Sequence, residues 1–368
     1  MKPSSRFVAG GLIGLLFLCG CHVWSAGTEE KPIVKSVAPG THPFAINVKG
    51  VERSYLLHIP PSSDHTKKWP VVVMFHGGGG TAKAAMWETG WAKKADKEGF
   101  LAVFPNAMAR DPARPSSFAS NPQLWNDGSD RFYPGQKPPD DVGFIAAMLD
   151  ELSARFALDE RRVFATGFSN GASMSFRVGA ELSNRIAAIA PVAGALWFDP
   201  PIFKHPVSMC YITGTADPLN LIEGGAPKLA TGASDRVRAK PKPPVRDSVL
   251  KWAKALGCPA ATASASNANG VRTETYSPGL GAAEVVYIEV DGLGHTWAGG
   301  KSLLPESMVG KTSNKIRATD VIWEFFKAHF SADKTYAQQG APADALTRAG
   351  DACRVCIRSL APQGTNCR

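Results

Sequence analysis

No stretch of this sequence is apolar for long enough to cross a bilayer comfortably. The best candidate, residues 7–18, falls short of the roughly 20 residues a spanning helix needs. No segment repeats, so a solenoid or propeller assembled from copies is excluded. No histidine lies near the Cys353-x-x-Cys356 pair, which disfavours zinc there, and no other pattern calls for a metal or an organic cofactor. The glycine run 77–80 could cradle phosphate, but Lys83 follows Ala82 and the Gly-Lys-Ser/Thr signature fails. A basic stripe is also missing. Lys and Arg number 41 against 32 Asp and Glu, a net charge of +9, yet they are scattered rather than interleaved with aromatics. That pattern reads as a solvated surface and not as a nucleic-acid face.

What is present begins with a leader. Lys2 and Arg6 precede the short apolar run, the form of a signal peptide. "LCGC" at residues 18–21 resembles a lipobox, in which Cys21 becomes the lipidated mature N-terminus and the protein's one tie to a membrane. A competing cleavage after Ser25 would release a soluble protein. Either route exports the chain, which makes cysteine pairing favourable. Cys210 lies in the apolar run "VSMCYITG" and reads as a buried free thiol. Cys258, Cys353, Cys356 and Cys367 could form two disulfides, and three connectivities remain open.

Residues 1–21 are therefore assigned to the leader, 22–43 to a linker, 44–330 to a catalytic domain and 331–368 to a polar, cysteine-containing tail. Within the domain, "FAINVKGVERSYLLHIP" alternates like a hairpin. Short β-branched runs then alternate with helical periods. Strands are predicted at 71–75, 101–104, "RVFATG", "IAAIAPV", "VSMCYITG" and "EVVYIEV". Helices are predicted at 81–98, at "VGFIAAMLDELSARF" with Asp141 as its cap, at 170–182 and at 319–330. This alternation predicts an α/β fold, a mostly parallel sheet with helices on both faces. Two stretches without period, residues 110–139 and 220–246, are expected to wall the cleft and to leave the acyl-transfer machinery untouched.

In such a sheet chemistry collects beyond the carboxyl ends of the strands. Four of the predicted strand ends carry notable residues: His76-Gly77-Gly78-Gly79-Gly80, Gly167-Phe168-Ser169-Asn170-Gly171, Asp217 and His295. G-x-S-x-G is weak alone, but here a strand precedes it and a helix follows, so Ser169 would sit exposed on a sharp turn. Its hydroxyl needs a base, and only His295 and His329 follow Asp217 in the chain. His329 falls on the last amphipathic helix, whereas His295 lies in the glycine-flanked loop "DGLGHTWAGG". Of ten acids between Ser169 and His295, Asp217 alone directly follows an apolar strand of that length and a turn. The Asn170 N–H and backbone near Gly78 are the candidate oxyanion donors.

"ERSYLLHIP", "VVVMFHGGGG", "DDVGFI", "RVFATGFSNGASMS", "ITGTADPLN", "VLKWAKALGCP" and "GLGHTWAGG" occur in one order across residues 44–330. They resemble the secreted α/β-hydrolase esterases grouped with polyhydroxybutyrate depolymerases, feruloyl esterases and acetylxylan esterases. The resemblance implies the α/β-hydrolase fold, with Ser169 as nucleophile, Asp217 as acid, His295 as base and no cofactor. In one respect the chain departs. The family often has a cysteine shortly before the histidine strand, and "YSPGLGAAEVV" has none. Cys258 is therefore expected to pair with a tail cysteine. The expected activity is hydrolysis of carboxylic esters, feruloyl or acetyl esters of polysaccharides or a hydroxyalkanoate polyester. A peptidase of the same fold and a non-catalytic carbohydrate- or surface-binding protein are the alternatives. Trp125 and Trp297 are candidates to stack on substrate, against the plainer reading of buried structural indoles.

Overall fold

The computed structural model describes residues 37–61, 68–131, 137–227 and 240–331. The leader with Cys21, and the tail with Cys353, Cys356 and Cys367, lie outside the described residues. Apolar runs without alternation form the centre of the sheet. They are β3 (Trp69–Phe75), β4 (Leu101–Pro105), β5 (Leu158–Phe168), β6 (Ala188–Val192), β7 (Ser208–Gly214) and β10 (Val285–Val290). All six are parallel, in the spatial order β4-β3-β5-β6-β7-β10. Antiparallel strands extend both edges: β1 (Gly40–Val48) and β2 (Val51–Ile59) on one, β8 (Ser264–Ala268) and β9 (Val271–Tyr276) on the other.

The continuous apolar runs follow from burial on both faces. Val71, Val73 and Phe75 point into one core with Phe144, Met148, Phe176 and Trp252. These come from helices α3 (Asp141–Arg155), α4 (Asn170–Glu181) and α5 (Val245–Ala255). Val72 and Met74 point the other way, to Trp91, Trp323 and Phe326. Those side chains come from α2 (Trp91–Glu98) and α7 (Ala318–Ala328). The short helix α6 (Glu306–Val309) lies between β10 and α7 in the chain.

Several sequence expectations are corrected. The helix expected over 81–98 is two, because Gly90 takes φ 72° and ends α1 (Ala82–Thr89) with its N–H on the Met86 carbonyl. Asp140, not Asp141, caps α3, accepting from the Gly143 N–H at 2.9 Å. Asp141 turns inward, where Arg53 and the Asn126 N–H each donate to it at 2.7 Å. The first strand of the expected hairpin starts earlier than Phe44, since Gly40 already pairs with Ile59 in β1. The β8–β9 hairpin was not anticipated, although Asn269-Gly270, both at positive φ, is the favoured two-residue turn.

Cys210 and Cys258 are both buried, and among the described residues Cys258 has no disulfide partner. Burial pushes the Cys258 thiol up to about 11. Gly279 stands against it: a Cβ there would lie 2.9 Å from the Cys258 sulfur and 2.8 Å from the Leu256 carbonyl. We therefore expect Gly279→Cys, with a slight backbone shift, to bond to Cys258 under oxidising conditions. Non-reducing peptide mapping should recover the 258–279 linkage, and alkylation of both thiols would contradict it.

Candidate active site

Ser169 links β5 to α4 in a conformation that side chains rarely adopt, φ 55° and ψ −117°. Such a residue costs on the order of 1–3 kcal/mol and persists only where its surroundings enforce it. They do so by proximity. A Cβ on Gly167 would lie 2.2 Å from the Gly171 carbonyl oxygen, and one on Gly171 only 2.3 Å from the Phe75 carbonyl oxygen. The turn is thus pressed onto the end of β3, and only glycine fits on either side of the x-Ser-x centre. The Ser169 N–H is tied to the Val192 carbonyl at 2.9 Å. Its hydroxyl does not cap α4, although Ser169 stands at the cap position.

Asp217 and His295 come from the ends of the adjacent parallel strands β7 and β10. His295 Nδ1 donates to Asp217 Oδ2 at 2.7 Å. The other carboxylate oxygen accepts the N–H groups of Leu219 and Asn220 at 2.7 and 2.8 Å. Burial pushes this carboxyl up, but His295, Lys242 and the Leu219 N–H outweigh it and hold it below its ordinary value. An ionised Asp217 fixes the Nδ1–H tautomer and leaves Nε2 as the acceptor. The His295 ring lies 4.8 Å from that of Phe168, the neighbour of Ser169. No hydrogen bond joins the Ser169 hydroxyl to His295 among the described residues. Catalytic hydrogen bonds of unliganded enzymes commonly tighten only around substrate. His329 is a satisfied histidine elsewhere, bonded to the Phe325 carbonyl and 3.1 Å from Glu284.

The glycine turn after β3 has its own anchor. The His76 Nδ1–H donates to the Gly77 carbonyl at 2.7 Å, and His76 Nε2 accepts the Ala107 N–H at 3.1 Å. The N–H groups of Gly79 and Gly80 are spent on the Gln123 and Gly77 carbonyls. Those of Gly78 and Asn170 have no partner among the described residues. A Cβ at Gly78 would sit 3.6 Å from that of Asn170, so the two backbones are neighbours. Two N–H groups left over beside a serine suit a developing oxyanion.

The expected roles of the tryptophans and of the two aperiodic segments need correction. Trp125 is fully buried and offers substrate no face. Its indole N–H donates to the His76 carbonyl at 3.0 Å, and its backbone N–H donates to Asn170 Oδ1 at 2.8 Å. Asn170 Nδ2 in turn donates to Asp127 Oδ2 at 2.8 Å, and Arg131 pairs with the same carboxylate. Trp297 is 2% exposed, with its indole N–H on Thr319. The first segment thus runs beneath the Ser169 turn rather than only walling a cleft. The second reaches Asp217: the Asn220 N–H donates to its carboxylate, the Asn220 side chain holds Tyr211 and Thr213, and Lys242 donates to Asn220 at 3.1 Å. A polar residue beside each strand-end motif was the available signal for these supports. No cluster of three metal-ligating side chains occurs among the described residues.

The sequence profile of the dienelactone hydrolase family matches residues 56–219, a span that includes Ser169 and Asp217. The chain has the α/β-hydrolase fold. Among named proteins, this α/β-hydrolase is 28% identical to the esterase-named NocK of Nocardia uniformis subsp. tsuyamanensis, over 81% of its own length and 85% of that protein's. It is 27% identical to feruloyl esterase B of Piromyces equi over 68% of its own length, but spans only 44% of that protein. It is 29% identical to poly(3-hydroxyalkanoate) depolymerase C of Paucimonas lemoignei over 37% of this chain and 30% of that one. The resemblance to this group of esterases stated from the motifs is borne out.

The His76 geometry generates a test. Burial outweighs the bond to Gly77 and pushes the imidazole down to about 4. It therefore binds fewer protons folded than unfolded between that value and its ordinary 6.5. The stability His76 contributes is present above that window and lost as pH falls through it. Histidine NMR should show a His76 signal of the Nδ1–H tautomer that does not titrate near pH 6.5. A midpoint there would contradict the arrangement.

Proposed function

We propose that this protein hydrolyses carboxylic esters through an acyl-enzyme on Ser169. The observation that carries the reading is the 2.7 Å Asp217–His295 pair on the same sheet rim as the strained serine. Ser169 Oγ attacks the ester carbonyl carbon while His295 Nε2 takes its proton. The tetrahedral oxyanion lies against the N–H groups of Gly78 and Asn170. His295, its charged form stabilised by Asp217, then gives the proton to the leaving alcohol oxygen as the C–O bond breaks. Water deprotonated by His295 attacks the acyl-serine, and the acid leaves as Ser169 regains its proton.

The esterase names of the relatives support a carboxylic ester over an amide. Feruloyl or acetyl esters of polysaccharides and hydroxyalkanoate polyesters are the substrate classes those names suggest. The short apolar run and Cys21 support an exported and lipid-anchored enzyme. No helix among the described residues is long and apolar enough to cross a membrane.

Ser169→Ala should lower ester turnover by a factor on the order of a million, and Asp217→Asn by about ten thousand, in proteins that still melt cooperatively. Steady-state rates on a short acetyl ester and on its amide counterpart check this. Near-full ester turnover by Ser169→Ala would refute the nucleophile, and an amide turned over as fast as the ester would favour the peptidase.

A further inference from the structure

Lys242 lies between β7 and α5 in a stretch without helical or strand period, yet its backbone is clamped. Its N–H and its carbonyl each pair with Gly225 at 2.9 Å, and Pro243 and Pro244 carry the chain directly into α5. The side chain reaches Asn220. There the ammonium donates to Asn220 Oδ1 at 3.1 Å, and the Asn220 backbone N–H donates to Asp217 Oδ1 at 2.8 Å. One residue thus joins the lysine to the carboxylate that holds His295.

The orientation of the Asn220 amide follows from its other partners. The Tyr211 hydroxyl gives its own proton to the Gly194 carbonyl at 2.5 Å, so toward Asn220 it only accepts. Asn220 Nδ2 therefore donates to Tyr211 at 3.1 Å and to Thr213 at 3.3 Å, which turns Oδ1 to the lysine. Gly194 is itself packed on the serine turn: a Cβ there would lie 2.5 Å from the Ser169 carbonyl oxygen.

Charges act on Lys242 from two segments. Asp217 attracts it from the end of β7, Asp127 attracts it from the stretch under Asn170, and Arg131 of that same stretch repels it. Burial, with Arg131 adding to it, pushes the ammonium down to about 8, which leaves it charged at neutral pH. His295 meets Asp217 on one side and shares a cleft with Glu88 and Lys301 on another. A buried carboxylate facing an imidazole favours the doubly protonated ring, which cannot accept the serine proton. A cation joined to the other carboxylate oxygen offsets part of that attraction.

We propose that Lys242 is a positioning residue for the Asp217–His295 pair, holding Asp217 through Asn220 and keeping the resting imidazole free to take a proton. The kinetic consequence rests on the hydrolase reading, whereas the coupling of Lys242 to His295 does not.

Histidine NMR and the pH dependence of kcat/KM on a short acetyl ester test it together. In Lys242→Met and Lys242→Gln the His295 midpoint, and with it the acid-side midpoint of kcat/KM, should rise by about 0.5–1 pH unit, the scale of one nearby charge in a high effective dielectric. Lys242→Arg keeps the charge and should keep the wild-type midpoints. The wild type alone carries a further readout. Its His295 ring signals should show a second, smaller inflection near pH 8 as Lys242 loses its proton, and Lys242→Met should abolish it. A merely structural lysine would change melting temperature, or rate at every pH, and leave the midpoints in place. Unmoved midpoints in the two uncharged variants, a Lys242→Arg midpoint displaced like theirs, or a wild type without the inflection near pH 8 would overturn the proposal and leave the hydrolase reading standing. A His295 midpoint that moves as expected in a protein turning over no ester would sustain the coupling and refute the hydrolase reading.

Discussion

The Ser169 backbone is the constraint on which the site depends. A serine at φ 55° and ψ −117° does not rest there by preference. It is held because β5 and β3 are adjacent and parallel, and because α4 must start at once to cover the sheet. The chain has room to turn only if Gly167 and Gly171 are bare, since the neighbouring carbonyls occupy the space of any Cβ. The same turn that projects the hydroxyl exposes the first N–H of α4, and the β3 glycine loop brings a second beside it. Strain, the proposed nucleophile and the proposed oxyanion donors all arise from one tight turn. The stability for it comes from the apolar cores on both faces of the sheet, where Val71 to Phe75 are buried on either side.

Around that turn several polar side chains are fixed by hydrogen bonds. Asn170 spends its side chain on Trp125 and Asp127, which keeps its backbone N–H free to face substrate. His76 is held neutral by burial, donates to its own turn and accepts from Ala107, and thereby stiffens the Gly78 backbone. Asp217 is satisfied on both oxygens, so its charge is directed at one imidazole nitrogen.

Much of this was legible in the sequence, and for identifiable reasons. The four strand ends were readable because a strand buried on both faces is a bare apolar run, and the residues just past it stand out. The shared α/β-hydrolase pattern then joined these ends into one ordered set. What escaped reading depends on contacts between distant segments. Nothing local distinguishes Trp125, a buried brace under Asn170, from a tryptophan on an open cleft. The residue 110–131 stretch looked like an insertion because its order comes from side chains such as Asn121, which holds the carbonyls of Asp111, Arg114 and Pro115, rather than from a period. Gly90 and the Asn269-Gly270 turn were different, since their signals were local and were outweighed by a longer helical pattern and a polar strand.

The central claim is that the β5–α4 turn, packed on the end of β3, presents an activated serine. Covalent labelling with a fluorophosphonate, followed by peptide mass spectrometry, tests it most directly because only an activated hydroxyl reacts quickly. The account predicts a single stoichiometric adduct on the peptide containing Ser169, forming far more slowly when His295 is replaced by alanine. An adduct elsewhere, or a Ser169 rate indifferent to His295, would contradict it.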